Sequence, residues 1–459
     1  MNLSVYGNKK GTLCTQKIQR GYLIVFVWEM ETKSQNGKFL SLPLLAEYDQ
    51  VDKAEKGIGS DSVIITGKTS FLKTTFHGLN ALSGVGILST PYALSSGGWL
   101  SMILLLVIAC VTFYTSLLIK RCMDFDPTIR SYPDIGDRAF GKAGRILVAV
   151  FMNLELYLVA TGFLILAGDN LHNLLPEVNF GFWGHSFGGK QSFVLIVALV
   201  ILPTVLLKNM SILAYVSASA VLASLVIIGS IFWAAMYDGI GFNKKGILVN
   251  WGAIPTSFSL YAFCYCGHPV FPTLYTSMKN QKQFSKVMLL CFLFATTTYA
   301  SIAAMGYSMF GSDVETQITL NLPTEKFSSK LAIYTALVSP IAKYALMMTP
   351  IVNRLEEHFQ SYNDEGSSSF SPLTRTTLVV SSVIIALAIP FFGYLMSLVG
   401  AFLSVTASIL LPCLCYLKIS GTYKKLGFEL VIIGLTVLMG VLILVTGTYT
   451  SLIEIIQHF

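Results

Sequence analysis

The chain has 459 residues, of which 54% are hydrophobic and only 12% charged, with a net charge of +7 and a pI near 8.8. A surface so poor in charge cannot face water over a chain of this length, so a soluble globular protein is excluded and the solvent is mostly lipid. Nucleic acid is excluded as a partner too, because the Lys and Arg residues are scattered through short loops and form no single stripe.

Residues 1–70 differ in kind from the rest of the chain, being polar and rich in Lys, Ser and Gly, and are expected to form a largely disordered cytosolic tail. Their one apolar run, Leu23 to Trp28, is too short to span about 30 Å of hydrocarbon. Glu29 and Glu31 come directly after it and no A-x-A cleavage site appears, which argues against a signal peptide.

From residue 71 the chain alternates apolar stretches of about 20 residues with polar loops, the length of a membrane-spanning helix. The segments fall near 71–96, 99–121, 146–172, 191–207, 211–236, 251–277, 285–310, 328–353, 375–391, 393–417 and 428–453. The expected fold class is an all-α polytopic membrane protein of about eleven transmembrane helices, since lipid tolerates only helices and closed barrels. The stretch Met123–Arg145, rich in Asp, Arg, Pro and Gly, is expected to be a solvated connector, with a cytosolic gate as the alternative.

With the N-terminus in the cytosol, the cytosolic loops hold fifteen Lys and Arg residues and the opposite loops five. That asymmetry sets the orientation, and the odd helix count puts the C-terminus on the far side. The N-x-S/T sequons at Asn2 and Asn209 then face the cytosol and are expected to stay unglycosylated. Seven of the eight cysteines lie in or beside apolar segments. The C-x-C pairs Cys264/Cys266 and Cys413/Cys415 lack zinc-site spacing, so no metal or other cofactor is expected.

Two of the segments are interrupted. The first carries Gly84, Gly86 and Pro91, and the sixth carries Gly267, Pro269 and Pro272. Each interruption weakens or removes backbone hydrogen bonds, and within a membrane such a break persists only where it lines a cavity. The first and sixth segments are the corresponding members of two five-helix halves. Paired breaks in matching positions point to a 5+5 inverted-repeat transporter with a midplane site, the halves being 71–236 and 251–417, with 428–453 as an extra helix.

The residues around the breaks also carry a resemblance. Ser83-Gly-Val-Gly-Ile-Leu-Ser-Thr-Pro-Tyr92, Gly97-Gly-Trp99, Tyr132-Pro-Asp-Ile-Gly136, Cys264-Tyr-Cys-Gly-His268, Tyr275-Thr-Ser-Met278 and Gly306-Tyr-Ser-Met-Phe-Gly311 resemble the amino acid/auxin permease family. Thr319-Leu-Asn-Leu-Pro323, Lys343-Tyr344 and Ile389-Pro-Phe-Phe-Gly393 extend the match over residues 70 to 459, nearest to its plant vacuolar amino acid transporters. The resemblance implies a LeuT-like fold with broken helices 1 and 6, proton-driven movement of amino acids, and residence in the vacuolar membrane. Cys266 and Pro269 depart from the Ser and Gly that the family pattern leads one to expect.

An amino acid is a zwitterion, so a dry site for it must satisfy an ammonium and a carboxylate. A helix N-terminus offers free amides and partial positive charge, which makes Gly84, Val85, Gly86 and Ile87 the expected carboxylate cradle, with Ser83 beside it. Carbonyls around Ala81, Cys264 and Tyr265, next to Gly267 and His268, are expected to receive the ammonium. Tyr157 and Tyr261 are further candidates for the pocket wall.

Ionisable residues inside a bilayer are functional candidates by default. Glu155 lies mid-segment, as a proton-coupling group or a structural partner. His268 sits in the sixth-segment break, where an imidazole titrates usefully or simply bonds loose backbone. Asp169 is expected to be a solvated helix-end residue. Lys343 lies halfway along the eighth segment, where in the implied fold an ammonium takes the place of a sodium ion between the first and eighth helices.

The expected partners are thus an amino acid, protons and the bilayer, with the oligomeric state open. The different-class alternative is an amino acid sensor or receptor with a transporter fold; a sodium-coupled or auxin-like carrier is the nearer one. An intramembrane enzyme is disfavoured, because no H-E-x-x-H, buried D-x-x-D or G-x-S-G occurs.

Overall fold

Ser70 opens the first helix, its side chain accepting from the Lys73 amide at 3.4 Å. In the computed structural model of the chain, residues 67–457 are described except 68, 85, 178–180, 183–184, 187–188, 207–210, 361–369 and 425–426. Residues 1–66 of the tail expected over 1–70, Val85, Asn2 and Asn209 lie outside the described residues.

The first apolar segment forms two helices, α1 (Phe71–Leu82) and α2 (Gly86–Gly97). α3 (Ser101–Phe125) comes next, then α4 (Tyr132–Leu174), which begins well before residue 146. Most of the expected connector is therefore helical. A capping box explains the early start: the Ser131 amide donates to Asp134 Oδ2 at 2.8 Å, with Pro133 in the first turn. Gly141, at φ 68°, then redirects the chain through a conformation that suits glycine.

A hairpin of β1 (Gly181–Phe182) and β2 (His185–Ser186) separates α4 from α5 (Gly189–Leu206). α6 (Ser211–Met236) succeeds it. The sixth apolar segment is again divided, into α7 (Ile254–Cys264) and α8 (Phe271–Ser277) around a short 3-10 turn, His268–Val270. α9 (Phe284–Phe310), α10 (Phe327–Gln360), α11 (Phe370–Ala388), α12 (Phe392–Leu398), α13 (Leu411–Ser420) and α14 (Phe428–Gln457) complete the bundle. Two π-helical stretches, Val399–Ser404 and Thr406–Leu410, join α12 to α13.

Among the described residues seven helices are each long and apolar enough to cross a membrane, with mean hydropathy from 1.4 to 2.7. α6 and α11 contribute shorter apolar stretches, Val221–Met236 and Pro372–Ala388, and neither half of a broken segment reaches that length alone. Val431, Leu435, Leu438, Leu442 and Val445 form an exposed stripe along one face of α14. Water would not tolerate such a stripe, and lipid does. The chain is an integral, multi-pass membrane protein.

Contacts identify the two ends of the bundle. At one, the Thr69 amide donates to Ser277 O, Tyr275 Oη to Asp124 Oδ1, and Arg121 pairs with Glu429. At the other, the Leu100 amide donates to Leu248 O and the Ile247 amide to Tyr307 Oη.

Candidate functional site

The two breaks touch. A Cβ at Gly86 would lie 2.8 Å from Cys264 Sγ and 3.1 Å from Cys264 Cα, so glycine lets the start of α2 seat against the end of α7. The Cys264 thiol in turn donates to Gly86 O at 3.5 Å. The carbonyl end of α1 and the amide end of α2 thus meet the carbonyl end of α7 in the interior. Helix ends carry unsatisfied backbone groups and partial charges, negative at a C-terminus and positive at an N-terminus.

Three carbonyls at these ends have side-chain donors. Lys343 Nζ, on α10, donates to Ser83 O at 2.7 Å, and the residue is only 4% exposed. Among the described residues no carboxylate pairs with it. Tyr299 Oη, on α9, donates to Leu82 O and lies 3.1 Å from Cys264 O.

Beside the first break a cavity of about 20 Å³ is lined by Ser83, Gly84, Ile87, Ser224, Ser339 and Pro340, among others. It takes a water rather than an amino acid. Ser83 Oγ and Ser224 Oγ are 2.5 Å apart across it. A Cβ at Gly84 would meet nothing nearer than 4.0 Å, so open space and not packing adjoins that glycine.

The other expected residues are distributed around this centre. Glu155 is buried on α4, and its Oε1 accepts from Ser404 Oγ at 2.6 Å, within the π-helical stretch. π turns free backbone groups and recur at functional sites. His268 is fully buried but faces α3: its Nε2 is 2.9 Å from Thr115 Oγ1 and 3.1 Å from Thr112 O. It is not among the cavity-lining residues. Tyr265 Oη bonds Thr296 Oγ1, Tyr261 Oη approaches Ser101 Oγ, and Tyr157 Oη donates to Ser381 Oγ, so all three phenols are tied to neighbouring helices. Ala81 is half-buried at the end of α1, and Gly267 packs against Leu82 and Phe271.

Asp169 departs from the solvated helix end expected of it. It is buried, its Oδ2 accepts from Gln317 Nε2 at 3.0 Å, and its Oδ1 is 3.9 Å from Lys190 Nζ. Gln317 also accepts from Asn170 Nδ2 at 2.6 Å, so the segment after α9 folds over this end of α4 and excludes water.

Tyr299 and Ser404 escaped the sequence reading. For Tyr299 a signal exists in Thr296-Thr-Thr-Tyr299, a polar run in mid-segment with no break of its own to serve. Ser404 stands in an ordinary apolar context, and nothing in the local pattern announces a π-helical stretch.

A family model described as transmembrane amino acid transporter protein matches residues 67–453. The chain is 57% identical over 429 residues to amino acid transporter AVT1J of Arabidopsis thaliana, covering 93% of this chain and 100% of that protein. It is 58% identical over 390 residues to amino acid transporter AVT1I of the same plant, covering 85% and 96%. Amino acid transporter AVT3B, again from Arabidopsis thaliana, is 28% identical over 427 residues, covering 88% and 99%.

Proposed function

The chain belongs to the transmembrane amino acid transporter family, a family of transporters and not of enzymes, and from that premise we propose that it is a secondary active carrier that moves amino acids coupled to protons. Alternating access takes place around the two breaks, in eleven crossings arranged as two inverted five-helix repeats, 71–236 and 251–417, with α14 outside them. The loop charges favour a cytosolic N-terminus, fifteen basic residues against five. Residence in the vacuolar membrane rests on the resemblance to that branch of the family.

One observation carries the coupling: the Lys343 ammonium rests on the Ser83 carbonyl, at the negative end of α1. In that seat a protein-borne cation does what a bound metal cation would do, and it comes and goes as a proton. When Lys343 is protonated, α1 is held to α10; when it gives up its proton, the charged donor is lost and α1 is free to move. The first amides of α2 at Gly86 and Ile87 receive the substrate carboxylate, and Gly84 leaves the room for it. Glu155, bonded to Ser404, is the second group able to hold a proton in the interior.

The test is uptake of a panel of radiolabelled amino acids by the purified chain in liposomes, with and without an imposed proton gradient. Saturable uptake that tracks the gradient and is indifferent to replacing sodium by potassium is the expected result. Strict dependence on sodium would overturn proton coupling, and absence of flux would favour a sensor.

A further inference from the structure

Tyr299 stands where the two breaks share a donor. Its hydroxyl has a single proton, and two carbonyls face it: Leu82 O at the end of α1, which accepts it, and Cys264 O at the end of α7, 3.1 Å away. Leu82 O also accepts the Gly84 amide at 2.8 Å. Tyr299 is 1% exposed, so bulk water does not compete for its hydroxyl. Both carbonyls terminate half-helices and carry the partial negative charge of such ends.

The phenol is rigidly presented. Phe292, Thr296 and Tyr299 lie on one face of α9; Tyr265 stacks on Phe292 with ring centroids 5.8 Å apart, bonds Thr296 at 2.8 Å, and meets Tyr299 edge-on at 5.4 Å. Tyr299 is thereby held against both breaks by the residue next to Cys264.

The Cys264 carbonyl is also one of those expected to receive a substrate's ammonium, and it is already served. The two carbonyls share the single proton of the Tyr299 hydroxyl, whereas an ammonium brings three N–H donors. We infer that Tyr299 is a placeholder for the substrate α-ammonium: in the empty carrier its hydroxyl serves the Leu82 and Cys264 carbonyls, and an arriving amino acid displaces it from Cys264. This rests on the carrier reading above and gives that site a means of returning empty, since the placeholder keeps a side-chain donor on the Cys264 carbonyl in the interior.

The experiment compares wild type with Y299F, both full-length in liposomes, using a radiolabelled mixture of protein amino acids. Net uptake requires the empty carrier to return; exchange against internal amino acids does not. In Y299F no hydroxyl competes with the ammonium, so the half-saturating concentration for exchange falls about tenfold, while maximal net uptake falls by about tenfold because the empty form loses the donor that its Leu82 and Cys264 carbonyls share. A merely structural tyrosine would instead raise that concentration, or slow exchange and net uptake alike, and either result overturns the inference. A wild type without exchange overturns the carrier reading along with it. Should Y299F fail to reach the membrane, meta-fluorotyrosine at position 299 in otherwise wild-type protein gives the answer by fluorine NMR. The amino acid mixture is expected to shift that resonance and propionate, which lacks the ammonium, is not; no shift with amino acids, or the same shift with both, overturns the placeholder.

Discussion

Lys343 and Ser83 are 260 residues apart in the chain, and the ammonium of one lies 2.7 Å from the carbonyl of the other. The carbonyl is available because α1 stops at Leu82, and the ammonium reaches it because α10 runs past the break. Burial leaves the two groups to satisfy each other.

Replacing Lys343 separates its two roles. In Lys343→Met the Ser83 carbonyl loses a charge-assisted donor, worth about 1.5–3 kcal/mol of stability. The variant should unfold at lower temperature, and its residual uptake should no longer respond to an imposed proton gradient. Lys343→Arg keeps a donor that does not release its proton, so exchange should survive better than gradient-driven uptake. Gradient-driven uptake by Lys343→Met would remove the lysine from the coupling.

The two glycines of the first break should answer differently to substitution. At Gly86 even a methyl group meets Cys264 at 2.8 Å, so Gly86→Val forces α2 and α7 apart and should abolish uptake together with thermal stability. At Gly84 a methyl group meets nothing nearer than 4.0 Å. Gly84→Ala should therefore fold normally, with an unfolding temperature near that of wild type, yet take up substrate poorly because the added carbon occupies the room beside the amides. Normal uptake by Gly84→Ala would show that the substrate does not approach there.

The legibility of each feature in the sequence depends on the distance over which its signal acts. The apolar segments and their interruptions are local, so the division of 71–96 and 251–277 into half-helices can be read from Gly84, Gly86, Gly267 and Pro269, and the halves fall where those residues stand. The partners of the freed carbonyls are not local. Lys343 is conspicuous as a charge in an apolar segment, but Tyr299 is one of 21 tyrosines and gains its meaning only from the helices on either side of it. Asp169 misleads for the same reason: its place near a helix end suggests water, and the loop carrying Gln317 that covers it lies 148 residues away. The helical part of Met123–Arg145 is announced by Ser131, Pro133 and Asp134, a start signal outweighed by the polar composition around it.

A pH response of transport should not originate in the connector between α3 and α4. Asp126 accepts from the Thr128 hydroxyl and amide and from Arg138 Nε, and these donors, Thr128 first, hold its carboxyl below the usual carboxylate range. A carboxyl lowered by folding stabilises the fold above its unfolded pKa, and that contribution fades as pH falls through the lower folded value. With an unfolded value of about 3.9, the contribution is already complete over the range from about 5 to 8. Asp126→Asn should therefore leave the shape of the uptake–pH curve in that range as it is in wild type. A displaced curve would give the connector a part in proton coupling.

The strap that closes one end of the bundle should control how readily that end opens. The Thr69 amide donates to Ser277 O at 2.9 Å, the Lys279 amide donates to Thr69 O at 3.0 Å, and Thr69 Oγ1 donates to Ser277 O at 2.6 Å. Gly67 permits the approach, since a Cβ there would fall 2.5 Å from the Met278 carbonyl oxygen. The residues before α1 are thus paired with those leaving α8, which ties the first half of one broken segment to the second half of the other. Any state open at this end has to separate the pair. Thr69→Pro removes both the amide and the hydroxyl donor, leaving one of the three bonds, while Thr69→Ser keeps all three. Each such bond contributes about 0.5–1.5 kcal/mol net, so the proline variant, which loses two, should populate the open end at least about fivefold more. Met278 is buried at 2% exposure and reports on that opening: as Met278→Cys it should react with a maleimide at least about fivefold faster in the Thr69→Pro background than in wild type or Thr69→Ser, with the labelled peptide identified by mass spectrometry. Equal labelling in all three would mean that the strap is not what keeps this end shut.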